Sequence, residues 1–133
     1  MTPTFAAIEL IATDMGKTLD FYRELGLEIP AEADSAPHAE YKLPGGITLM
    51  WDSVEMMRTV MPGWVEPIGE DRLALAFDCH TPAGVDETYR RLTDLGHLGS
   101  TAPWDTPWGQ RYATIEDPDG RSIDLFAPLD STQ

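Results

Sequence analysis

Cysteine, histidine and positive charge are all scarce in this chain, and no apolar run approaches the length of a membrane span. The single cysteine, Cys79, excludes an internal disulfide framework. At the end of an apolar stretch it reads as a small buried filler ahead of a nucleophile. Nine basic residues against 23 acidic ones give a formal charge of −14, which repels nucleic acid and anionic membranes and attracts cations. The plainer reading of that charge is a solvated acidic surface. No basic segment followed by an apolar stretch opens the sequence, so no signal peptide is expected and residence in the cytoplasm follows by default. The histidines, His38, His80 and His97, share no spacing that makes a chelate, and nothing resembles a nucleophilic triad. Gly45-Gly46 is a hairpin turn, not a phosphate-cradling glycine loop.

What is present fits one domain of 133 residues, 42% of them hydrophobic. The most informative stretch runs from Trp108 to Ala127 and reads as a β-hairpin. Arg111, Ala113 and Ile115 alternate with Gln110, Tyr112 and Thr114, and Ile123 and Leu125 alternate with Ser122, Asp124 and Phe126. Between them Asp117-Pro118-Asp119-Gly120 is a turn: proline presets φ, aspartate bonds its own backbone, and glycine accepts positive φ.

The chain also reads as two weakly similar halves, each a strand, a helix and three strands. In the first, residues 4–13 are a strand, Asp14 caps a helix to about residue 25, and Gly26 stops it. Strands near 27–31, 38–43 and 47–52 follow, the last two joined by Pro44-Gly45-Gly46. Residues 53–61, with Met56, Met57, Val60 and Met61, predict a short apolar helix, read as core or dimer interface ahead of a lid. A break at 61–71 precedes the second half: a strand at 73–79, a helix begun by Pro82 with Val85, Tyr89, Leu92 and Leu95 as its stripe, and strands near 100–104, 110–116 and 122–127. The modules span about 3–61 and 72–128, with a linker near 62–71.

The closing hairpin, together with Ile8-Glu9-Leu10-Ile11-Ala12-Thr13-Asp14, Phe21-Tyr22 and Leu25-Gly26-Leu27 at the start, resembles the vicinal-oxygen-chelate superfamily of glyoxalase I, extradiol dioxygenases, fosfomycin-resistance enzymes and bleomycin-resistance proteins. The resemblance covers nearly the whole chain. It implies an α+β fold of two βαβββ modules whose curved mixed sheets enclose a cavity, and a homodimer. Metal-dependent members take one ligand from each of four strands, usually His or Glu. Carried onto this sequence, those positions fall on Ala7, Met50, Arg72 and Asp124, or on Ala74 in place of Arg72 if the helix sets the alignment. Only Asp124 is a ligand type, and a site needs three or four donors, so neither a metal nor any other cofactor is expected.

Glu9, Arg72 and Asp124 fall on the predicted cavity faces, where an arginine fork either holds a charged floor or simply pairs with the carboxylates. Trp51, Trp64, Trp104 and Trp108 stand near predicted strand edges or loops, where an indole can stay open to stack a planar ligand, though core packing is the plainer reading of any one of them. The run Pro107-Trp108-Gly109 with Arg111 is similar to the metal-free bleomycin-resistance branch. The expectation is therefore a small-molecule binder that sequesters a planar, cationic antibiotic or natural product, with Tyr112 and the tryptophans stacking it and Glu9, Met50, Asp52, Arg72 and Asp124 around it, and no nucleic-acid or membrane partner. The alternative is a lyase, isomerase or dioxygenase of the same superfamily, working with a metal at displaced ligands or with Glu9 or Asp124 as base.

Overall fold

The computed structural model describes residues 4–61, 63–66 and 73–129. The chain divides into two compact units, Met1–Ile68 and Gly69–Gln133. No helix among the described residues is long and apolar enough to cross a membrane.

In the first unit, β1 (Ala7–Ala12) leads to α1 (Met15–Glu24), then β2 (His38–Lys42), β3 (Thr48–Ser53) and α2 (Val54–Val60). The sheet order is β1-β3-β2, with β1 and β3 parallel and β2 antiparallel to β3. Asp14 caps α1 by accepting from the Lys17 amide at 3.1 Å, and the apolar stripe of that helix buries Met15, Leu19 and Tyr22. Leu10 and Ala12 of β1 and Leu49 and Trp51 of β3 are buried with them, so one sheet face is core and the alternate residues form an open face. The apolar helix expected after β3 is α2, capped by Ser53, with Val54 and Met57 buried.

The strand expected near 27–31 does not form. The Arg23 guanidinium accounts for this, because it donates to the carbonyls of Ile29 at 2.8 Å and Pro30 at 2.9 Å and to the Asp34 carboxylate at 2.8 Å. The carbonyls a strand partner would need are already occupied, and Pro30 has no N–H to offer. A 3-10 turn, Ala31–Ser35, follows instead.

The second unit is a complete βαβββ module: β4 (Ala74–Asp78), α3 (Pro82–Asp94), β5 (Gly99–Asp105), β6 (Gln110–Glu116) and β7 (Ser122–Pro128), in sheet order β4-β7-β6-β5. Pro82 opens α3 beside its Thr81 cap, where a missing N–H costs nothing. Gly84 is required there, since a Cβ at that position would lie 2.3 Å from the Cys79 carbonyl oxygen. Val85 and Leu92 of α3 are buried with Ala113, Ile115, Ile123, Leu125 and Ala127. The mixed α+β architecture expected from the sequence is thus present in two sheets of three and four strands. Arg72 and most of the break at 61–71 lie outside the described residues.

Candidate functional site

Strand alternation gives each unit one open sheet face, and the chemistry of the two faces differs. On the four-stranded sheet the residues pointing away from the buried set include Tyr112 and Thr114 of β6 and Asp124 of β7, with Thr114 directly opposite Asp124. The Tyr112 hydroxyl donates to Asp124 Oδ2 at 2.6 Å and the Thr114 hydroxyl donates to Oδ1 at 3.1 Å. Holding its proton against that carboxylate, with burial adding to the effect, pushes the Tyr112 phenol up to about 12. Both donors are neutral, so Asp124 is hydrogen-bonded without being neutralised, and it has no ion pair among the described residues.

An aromatic ladder runs beside that carboxylate. Trp104 of β5 pairs with Tyr112, and the Trp108 ring meets both, edge to face, with centroids 5.8 Å from Trp104 and 6.1 Å from Tyr112. Trp108 sits in the β5–β6 turn, which the nearly buried Thr106 closes by accepting the Gln110 amide at 3.0 Å. Its indole N–H donates to Gln110 Oε1 at 2.9 Å, which fixes the ring. Trp104 and Trp108 remain 40% and 61% exposed, an unusual position for large apolar rings in a folded unit. Arg111 turns to the other side, where Asp86 of α3 and Asp105 hold it.

The open face of the three-stranded sheet is acidic. Glu9 stands opposite Met50, and Asp52 lies between Ile11 and His38 in register. His38 Nδ1 is 2.5 Å from Asp52 Oδ1 and its Nε2 is 2.9 Å from Glu40 Oε2. The Asp52 bond, reinforced by Glu40, raises the imidazole above its ordinary value of 6.5 and so favours its protonated form. A hydrogen bond with Asp52, then burial, raises the Glu9 carboxyl above the usual carboxylate range. Both shifts run the same way. A raised folded-state pKa stabilises the protein fully below the unfolded value and is lost as pH rises through the folded one. We therefore expect His38→Gln to flatten the decline of the urea midpoint above pH 6.5; an unchanged pH profile would show that the imidazole contributes nothing to that decline.

Sequence reasoning passed over His38 because no second histidine stands at chelating distance. The turn at Pro44-Gly45-Gly46, closed by Leu43 N–H donating to Ile47 O at 2.8 Å, carries the missing signal. Folding the strands back about it pairs Lys42 with Thr48, Glu40 with Met50 and His38 with Asp52. Trp51 is a correction: it is fully buried on the covered face of central strand β3, its ring 5.3 Å from Tyr22 of α1, and it has no open face to stack a ligand. Trp64 is half-buried beyond α2, its amide donating to Met61 O at 2.9 Å. Cys79 is half-buried, and burial pushes its thiol up, away from reactivity.

The family model of the glyoxalase/bleomycin resistance protein/dioxygenase superfamily matches residues 4–125. The chain belongs to this superfamily. Solved members share its fold. A glyoxalase/bleomycin resistance protein/dioxygenase from Nocardioides is 24% identical with a TM-score of 0.73, covering 100% of this chain and 88% of its own. A family enzyme from Burkholderia phytofirmans PsJN is 16% identical with a TM-score of 0.80, over 96% and 100% of the two chains. A lactoylglutathione lyase from Agrobacterium tumefaciens is 21% identical with a TM-score of 0.66, over 95% and 94%. No curated protein matches. At such identities the structural likeness shows the fold alone.

Metal-dependent members of the glyoxalase superfamily set a test that the described residues do not meet. Ala7, Met50 and Ala74 carry no ligand atom for a hard or borderline cation, Arg72 lies outside the described residues, and Asp124 already accepts two hydroxyl donors. Among the described residues no three of His, Cys, Asp and Glu are placed to hold a metal ion. The acidic face shows why: Asp52 and Glu40 point at opposite nitrogens of His38, so the imidazole occupies the point on which a cation's ligands would converge.

Proposed function

We propose that this member of the superfamily is a metal-independent small-molecule binder that sequesters a planar, cationic antibiotic or natural product, in resistance or self-resistance. The observation that carries the reading is the pairing of an exposed, pinned aromatic ladder, Trp104, Trp108 and Tyr112, with a carboxylate that, among the described residues, only neutral groups satisfy. Rings held in place take a flat ligand at little entropic cost, and the Asp124 carboxylate, which accepts only from hydroxyls among the described residues, selects a cation. The reading includes a homodimer, which the resemblance implies, and residence in the cytoplasm, expected by default from the sequence.

Proflavine as a planar cation and 2-anthracenesulfonate as a planar anion test it by tryptophan fluorescence. Saturable quenching by proflavine is expected, unchanged by EDTA. Trp108→Ala should weaken it about tenfold, in line with about 1–2 kcal/mol for a cation–π contact. Asp124→Asn should weaken the cation alone and leave the sulfonate as it was. A response that EDTA abolishes and added metal restores overturns the reading.

A second reading, a lyase, isomerase or dioxygenase, is favoured by the Glu9 carboxyl, whose pKa a hydrogen bond with Asp52 raises, on the face that also carries His38. Stoichiometric Zn, Ni, Fe or Mn in protein purified without chelator would favour it over sequestration.

A further inference from the structure

A cleft of about 520 Å3 opens in the first unit at the C-terminal end of the parallel β1–β3 pair, between the start of α1, the end of the 3-10 turn with the residues after it, and α2. Its size is that of a small-molecule site. Two thioethers, Met15 and Met56, and the ring of Pro37 supply its apolar lining, and Met15 is buried. Two carboxylates, Asp34 and Glu55, line it, and among the described residues no basic side chain does.

The two carboxylates are not equivalent. Asp34 pairs with the Arg23 guanidinium at 2.8 Å, a cation it shares with Asp20 at 2.7 Å. The Glu55 carboxylate has no hydrogen bond or ion pair among the described residues, and the neighbouring base on its helix, Arg58, is taken by Glu66 at 3.1 Å. The lining therefore presents the Glu55 carboxylate, without an ion pair among the described residues, beside a soft, adaptable apolar surface. We propose that this cleft binds a small aliphatic monocation, a primary ammonium with a short alkyl body, its charge on Glu55 and its chain against Met15, Met56 and Pro37. The site shares no residue with the aromatic ladder of the second unit, so it stands or falls independently of the sequestration reading.

The test is a titration of the folded chain, 13C-labelled at the methionine methyls, with n-hexylammonium, using hexanol and hexanoate as controls of the same length. Saturable shifts of the Met15 and Met56 methyls are expected with the ammonium, at least tenfold weaker with the alcohol, and absent with the carboxylate. Glu55→Gln, an exposed position, should weaken the ammonium about tenfold and leave the alcohol unchanged. Met56→Trp, verified as folded by its methyl spectrum, should abolish both responses. Trp108→Ala should alter neither, which separates this outcome from failure of the planar-cation site. Shifts at Met50 in place of Met15 and Met56, equal responses to ammonium and alcohol in wild type, or no saturable shift with n-hexylammonium would each overturn the proposal.

Discussion

Asp117→Ala is expected to lower the unfolding free energy by about 3–5 kcal/mol, the cost of leaving a buried charge without its partner. Asp117 is almost fully buried at the β6–β7 turn, where one carboxylate oxygen accepts the amides of Asp119 and Arg121, each at 2.9 Å, and the other pairs with the Arg121 guanidinium. The backbone closes round the same residue: its amide donates to Arg121 O, and the Gly120 amide donates to Asp117 O, with Gly120 at φ +85°. Removing the carboxylate leaves two amides and a guanidinium short of acceptors at once. Asp117→Asn keeps an acceptor for the amides and should recover part of the loss. Urea midpoints of the three proteins measure it, and a loss under about 1 kcal/mol for alanine would mean that proline and glycine alone hold the turn.

Trp51→Ala should cost a comparable amount, about 3–5 kcal/mol, because it empties the largest fully buried side chain in the first unit. Trp51→Phe should cost much less. The Trp51 indole N–H is buried without a hydrogen-bond partner among the described residues, so phenylalanine loses ring volume but also removes an unsatisfied donor. Thermal melts give the stabilities, and proflavine titration of Trp51→Phe gives a second readout. An unchanged affinity fits a core residue, whereas a tenfold loss would return Trp51 to the ligand.

The contrast between Trp51 and Trp108 marks where the sequence becomes silent. Period and punctuation are local, so the cap at Asp14, the helix start at Pro82, the stop at Gly26 and the hairpin strands near 110–116 and 122–127 were legible from the residues themselves. Which face a tryptophan takes depends on the helix that covers the sheet, and Trp51 lies under α1 although its neighbours in sequence alternate as they would at an edge. The missing strand at 27–31 has the same origin, since its apolar residues have strand character but a side chain from α1 claims its carbonyls. Of the site residues, Trp104, Trp108, Tyr112 and Asp124 are brought together by one sheet. Glu9, Met50 and Asp52 gather on another, where His38 joins them through a pairing that only the hairpin register reveals.

The parallel pairs bear on the order in which the chain acquires structure. In each unit the strand made first finds its neighbour last: Ala7 pairs with Thr48, and Ala74 with Ser122, after a helix and every other strand of that unit have been synthesised. Closing so long a loop is paid in chain entropy before any contact repays it, and pairing of this kind is slow. Leu75 and Phe77 find their native strand partners only in β7, the last strand of the unit, so until β7 has been made the first strand is open to a wrong partner.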